Sequence, residues 1–330
     1  MRPWVAVLSM SAMSLALNRL PPLSATSFRV AILGDAHGDF HPDELRTLEA
    51  VAAPALFLAV GDFGNEDHAI VESVVRGCRE HLRGAAHLVL GNHECWRSGS
   101  GKRGGGGGAG ASLRKIQAAV AGLDVAYRRV EVPTATGVVS LVGARPLSWG
   151  GGLDATSRLT WSLLDEMYGV SSAEESTALV TDALLGAVGP AILLAHQGPT
   201  GLGADRAAAC GRDWTAEPAD FGDDDLRAVL DTAAGAGVAV PLCVFGHMHS
   251  GLRHGGRRRM AVEDGGTLFL NAAEVPRHRP SASSSYDAHY TIVDFEGGAV
   301  ASATGVWLNG DTGLAEAAQL WPLPGAPPEL

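Results

Sequence analysis

Five short stretches of the chain bring together side chains that bind metals or move protons. They are Asp35 and His37 in "GDAHG", Asp62 in "GDFG", Asn92, His93 and Glu94 in "GNHE", His196 in "HQGP", and His247 and His249 in "GHMH". Two aspartates, an amide oxygen and several imidazoles make an oxygen and nitrogen donor set without sulfur. Such a set suits Mn, Fe or Zn in a catalytic site better than a structural cysteine-bound zinc. Taken singly, each stretch has a plainer reading: "GD" and "GN" are common turns, and a histidine at a strand end is usually a satisfied polar residue. Their positions change that reading.

Each stretch closes an apolar run: "FRVAIL" from Phe28, "ALFLAV" from Ala55, "AHLVL" from Ala86, "AILLA" from Ala191 and "VPLCVF" from Val240. Helical patterns over Asp43–Ala53, Glu66–Arg83, Arg158–Tyr168 and Ala173–Val188 alternate with these runs. Apolar strands separated by helices predict a parallel sheet buried on both faces. In an open α/β sheet the carboxyl ends of the strands converge on one crevice, so residues between positions 35 and 249 are expected to meet there. The final part, "GTLFLNAAEVPR", "HYTIVDFEGG" and "AVASATGVWL", alternates like antiparallel strands. No internal repeat or clean linker divides residues 28–330, which read as a single domain.

The remaining features bound the function. A formal net charge of −11 argues against a general affinity for nucleic acid phosphates. The one dense basic run, "RRRM" after Gly256, reads as a solvated turn. Four cysteines without CxxC spacing fit a reducing compartment, with Cys78 and Cys243 as small core residues. "GSGKRGGGGGAGAS", residues 99–112, reads as a flexible loop. Its "GSGK" follows no strand and lacks the GxxxxGK[ST] spacing of a phosphate loop. Residues 1–27 carry two arginines and no acidic residue and are rich in Ser and Ala, as in a targeting leader or a disordered extension. The apolar run Val5–Leu17 is too short to span a bilayer, so stable membrane insertion is not expected.

The order D-x-H, G-D, G-N-H-[D/E], H and G-H-x-H, each element behind an apolar run, resembles the calcineurin-like metallophosphoesterase superfamily over roughly residues 28–308. "GDFGNE", "RPLSWGG", "HQGPTGLG", "CGRDW", "FGHMHSGLR" and "LNAAEVPR" further resemble a subgroup found in cyanobacteria and plastid-bearing eukaryotes, which with the leader implies a plastid location, the alternatives being cytoplasmic or secreted. The resemblance implies a four-layer α/β/β/α sandwich with mixed sheets and an active site at the carboxyl ends of the strands. It implies two metal ions, Mn, Fe or Zn. Asp35, His37 and His249 would hold the first, Asp62 would bridge, and Asn92, His196 and His247 would complete the second. A bridging carboxylate places negative charge between cations about 4 Å apart.

The implied reaction is hydrolysis of a phosphate mono- or diester of a small phosphorylated substrate by a metal-bridging hydroxide, with His93 facing the substrate and Glu94 or Glu66 orienting it. Arg145, Arg158 and Arg212 are the candidate phosphate contacts. Two branches are disfavoured. Where Ser/Thr protein phosphatases carry GDxVDRG, this chain has Asn65 in place of the Asp that orients the histidine. The same Asn65 stands where purple acid phosphatases carry a tyrosine ligand. The alternative from another class is a metal-binding scaffold of the same fold without catalysis. A nuclease is disfavoured by the acidic balance.

Overall fold

The structure is a computed structural model that describes residues 18–99, 111–153, 156–281 and 285–323. The apolar run at 5–17 and residues 100–110 of the glycine-rich loop lie outside the described residues.

In chain order the strands are β1 (Ser27–Leu33), β2 (Leu56–Ala59), β3 (Ala85–Leu88), β4 (Arg129–Thr134), β5 (Gly137–Gly143), β6 (Ala191–Leu194), β7 (Leu242–Phe245), β8 (Ala261–Asp264), β9 (Thr267–Asn271), β10 (His278–Arg279), β11 (Asp287–Glu296), β12 (Ala299–Asn309) and β13 (Gly313–Trp321). The helices are α1 (Asp43–Ala52), α2 (His68–His81), α3 (Trp96–Gly99), α4 (Ala111–Val120), α5 (Arg158–Tyr168), α6 (Ala173–Leu185) and α7 (Asp224–Gly235). One sheet runs β13-β12-β11-β1-β2-β3, with β10 on β11, and the other runs β4-β5-β6-β7-β9-β8. Both are mixed. β1, β2 and β3 are mutually parallel while β11 is antiparallel to β1, and β5, β6, β7 and β9 are parallel between antiparallel β4 and β8. The antiparallel reading therefore holds for β11 and β12, whereas "GTLFLN" is a parallel neighbour of β7 that pairs antiparallel only with β8.

The alternation of side chains along each strand explains the layers. Val30 and Ile32 of β1 pack inward with Leu58, Ile192, Leu194 and Val244 in the core between the sheets. Ala31 and Leu33, pointing the other way, pack with Leu45, Leu48, Val71 and Val74 of α1 and α2. On the far side Leu193 and Cys243 meet Val180, Leu184, Leu226 and Val229 of α6 and α7. These are the four expected layers. A continuous apolar strand is what two covered faces require, at roughly 1.5–3 kcal/mol for each large side chain buried. The helix limits follow local chemistry: Ser157 caps α5 at Thr160 N–H, and Gly169 closes it at φ 70°. All four cysteines are buried thiols.

Candidate metal centre

The donors all stand just beyond parallel strand ends, and the structure brings them together. His37 Nε2 lies 2.9 Å from His249 Nε2. Those two nitrogens are 3.8 and 3.7 Å from Asp35 Oδ2. In an adjoining set Asn92 Oδ1 lies 3.0 Å from His196 Nε2 and 2.9 Å from His247 Nδ1, and the two ring nitrogens are 3.2 Å apart. Asp62 joins the sets. Its Oδ1 is 3.4 Å from His196 Nε2, and its ligand atom falls within 4.8 Å of those of His37 and His93. Metal–ligand bonds of about 2.0–2.2 Å place neighbouring ligand atoms roughly 3–3.5 Å apart, so both sets are spaced to surround a cation.

The donors are also aimed. Val60 carbonyl accepts from His196 Nδ1 at 2.7 Å, which turns Nε2 toward the centre. Asp35 accepts from His247 N–H through both oxygens at 3.1 and 3.0 Å, and Asp62 Oδ1 accepts from His93 N–H at 2.8 Å. Three of the donors, His37, Asp62 and His247, adopt left-handed backbone with φ of 47°, 54° and 63°. Non-glycine residues rarely do so, and such strain is concentrated where a site needs a side chain turned inward. The glycines before the donors are steric necessities. A Cβ on Gly91 would come within 2.3 Å of Asp62 Oδ1, and one on Gly246 within 2.2 Å of Asp35 Oδ1.

The profile of the family described as calcineurin-like phosphoesterase matches residues 28–251, which spans every donor named above. The chain belongs to that family. Among solved structures, this chain is similar to phosphopantetheinyl hydrolase from Mycobacterium tuberculosis, at 14% identity and TM-score 0.45 over 76% of this chain and 91% of that one. It is similar to a dimetal phosphatase from Danio rerio, at 13% identity and TM-score 0.45 over 89% and 98%. It is also similar to Vps29 from Entamoeba histolytica complexed with Zn, at 12% identity and TM-score 0.34 over 88% and 99%. These likenesses are too distant to bear on activity. No curated protein matches the chain.

Crowded charge dominates the donor cluster. Burial and the neighbouring Asp62 push Asp35 up to about 7. Burial works to raise Asp62 as well, but the imidazoles of His196, His93 and His247 hold it well below the carboxylate range. His196 moves the other way: burial opposes its charge, yet Asp62 lifts it to about 9. Burial, reinforced by neighbouring imidazoles, lowers His247 to about 3 and His249 to about 4. Among the described residues no Lys or Arg is ion-paired with Asp35 or Asp62. The donor set thus fits a cation on both geometry and charge.

Several expected residues do something else. Glu94 does not orient His93. It is fully buried and accepts from the amides of Gly91 at 2.7 Å and of Asp62 and Phe63 at 2.8 Å, tying the "GDFG" loop to the "GNHE" loop. Glu66 accepts from the amides of Arg97 and Ser98 at the start of α3. The side chain on His93 Nδ1 is Asn65, through Oδ1. Arg145 is 3% exposed and held by Asp225 at 2.8 Å and Asp223 at 3.0 Å, so it is not presented to a substrate. Arg158 is exposed on the first turn of α5, and Arg212 bonds Glu217 carbonyl at 3.2 Å. Beside His196, Gln197 donates to Phe221 carbonyl and accepts from Gly198 N–H.

The "RRRM" turn is only partly solvated. Arg258 is buried and donates to the carbonyls of His249, Ala208 and Gly211, pinning the "GHMH" loop to the "CGRDW" loop. Trp96 and Arg258 are the residues that the sequence reading did not place at the site, while Asn65 stands on His93 at the position the resemblance gave it. For Trp96 a signal existed, its position three residues after His93. Among the described residues, no helix is long and apolar enough to cross a membrane.

Proposed function

We infer that this phosphoesterase-family chain is a binuclear metal-dependent hydrolase of a small phosphate mono- or diester. One observation carries the reading: Asp62 is shared between two adjoining donor sets, with His93 Nε2 3.9 Å from its Oδ2. Asp35, His37 and His249 would hold one cation, Asn92, His196 and His247 the other, with Asp62 between them. Bound there, divalent cations supply Lewis acidity toward phosphoryl oxygens and acidify water. Asn92 contributes an oxygen without further charge, which keeps the centre net positive toward an anionic ester.

His93 is the group facing the ester. Asn65 Oδ1 can only accept, so the Nδ1 of His93 must donate to it, and Nε2 becomes the working atom. Half-buried His93 would stabilise the transferring group or hold a proton for the leaving oxygen at that nitrogen. Asn65 orients the ring without adding a negative charge, unlike a carboxylate at the same place. Glu94 acts at a distance by fixing the two loops that carry Asp62 and Asn92.

The test is Mn²⁺-dependent hydrolysis of an aryl phosphate monoester and the matching diester by the full chain, with Asp62→Asn as control. Turnover of either ester with a dead control supports the reading, and the preferred ester directs the substrate search. Bound metal without turnover of either would replace it with the scaffold alternative. The leader and the subgroup resemblance extend the proposal to a plastid. A reporter fused to the first sixty residues tests that, and a purely cytosolic signal would overturn it.

A further inference from the structure

His93 has a second neighbour besides Asn65. Its ring lies on the indole of Trp96 at 4.2 Å between centroids and 23° between planes. The other indole partner is Trp149, at 5.4 Å and 21°. The sequence arranges this stack locally. Asn92–Cys95 is a 3-10 helix, and Trp96 N–H bonds His93 carbonyl, closing an i to i+3 turn. Side chains three apart eclipse in that helix, so the spacing from 93 to 96 places the two rings over one another. Trp149 arrives from the loop after β5 in the other sheet. The next residue, Gly150, has φ of 71°, and a Cβ there would come within 2.7 Å of the Phe221 ring and 2.8 Å of Gln197 Nε2. Only glycine permits that approach.

We propose that Trp96, backed by Trp149, is the positioning residue that fixes the plane of the His93 ring. The proposal rests on the role given to His93 above. One hydrogen bond to Asn65, itself an exposed side chain, sets which nitrogen faces inward but leaves the imidazole free to rock about that contact. The indole removes this freedom by blocking one face. His37, edge-on at 4.5 Å and 79°, confines it from the metal side. Offset-stacked aromatic pairs hold geometry beyond the area they bury. The stack also spans the two sheets, so the ring is referenced to both walls of the crevice.

The experiment uses the full Mn²⁺-loaded chain with an aryl phosphate and the variants Trp96→Ala, Trp96→Phe, His93→Ala and the double His93→Ala/Trp96→Ala. Trp96→Ala is expected to lower kcat about tenfold with KM and bound metal unchanged, and Trp96→Phe to recover most of it. In the His93→Ala background, removing Trp96 is expected to cost nothing further. A ring-current shift of the His93 ring protons in the metal-free chain, lost in Trp96→Ala, reads the stack independently of activity. A KM rise at constant kcat, or an equal loss with and without His93, would overturn the proposal. A fully active His93→Ala would remove the role of His93 and the proposal with it. An unshifted ring proton in a His93-dependent enzyme would remove the stack alone.

Discussion

Glu44 and Asp35 are both buried carboxylates near the carboxyl end of β1, and their surroundings are opposites. Glu44 accepts from Arg277 Nη2 at 2.7 Å, His278 Nε2 at 2.8 Å, His41 N–H at 2.9 Å, Tyr290 hydroxyl at 3.0 Å and Tyr286 hydroxyl at 3.2 Å. Burial would raise it, but the Arg277 guanidinium beside it brings it down to about 2. Asp35 faces a second carboxylate and imidazoles whose nitrogens converge, and it is pushed up to about 7. The first cluster contains its own cation and closes on itself. The second concentrates acceptors around a gap in charge, which is the signature of a site completed from outside. Burial and polarity are alike in both. What separates a structural cluster from a ligand site is whether the protein supplies the counter-charge.

The contrast can be broken from either side. Asp62→Asn removes the shared carboxylate and is expected to reduce Mn²⁺-dependent turnover to background with loss of bound metal, read by elemental analysis of the same sample. His93→Ala keeps every donor and is expected to lower kcat by about 10²–10⁴-fold while retaining metal. Metal loss in that variant would make His93 a ligand. Glu44→Ala leaves Arg277 buried without its carboxylate and is expected to cost about 3–5 kcal/mol in urea unfolding with metal binding intact. If metal affinity fell with it, the two clusters would not be independent.

The smallest effect is in pH. Glu44 has a folded value below its usual 4.5, so its contribution is present above that pH and is lost as pH falls toward about 2. Asp35 has a folded value above its usual 3.8, so the metal-free protein is expected to lose stability as pH rises through about 7. Thermal unfolding across pH with and without Mn²⁺ separates them, because only the second trend should vanish on metal loading.

The donor residues were legible because their signal is local: an apolar run, then a donor, with a glycine between them at every strand end but that of His196, forced by close approach. The same pattern marked β1, β2, β3, β6 and β7 as parallel strands but put them in one sheet, where the structure divides them between two. Arg145 was misread because its partners Asp223 and Asp225 come from α7 and the turn before it, far along the chain, and an arginine looks solvated until its partners are known. Arg258 was hidden for the same reason, since its partners are backbone carbonyls of distant loops. Glu94 was read as catalytic from its neighbour His93, while its carboxylate turns away toward amides that only the folded loops bring together. Trp96 depends on a short 3-10 turn, which leaves no periodic trace.

The central claim is that the two donor sets are cation sites joined by Asp62. Calorimetric titration of the metal-free full chain with Mn²⁺ at pH 7, in two buffers of different ionisation enthalpy, tests it most directly. The expected result is about two equivalents bound with net proton release, because Asp35 and His196 must give up protons to become ligands, and loss of the shared site in Asp62→Asn. Binding of fewer than two equivalents, or binding that survives Asp62→Asn unchanged, would contradict it.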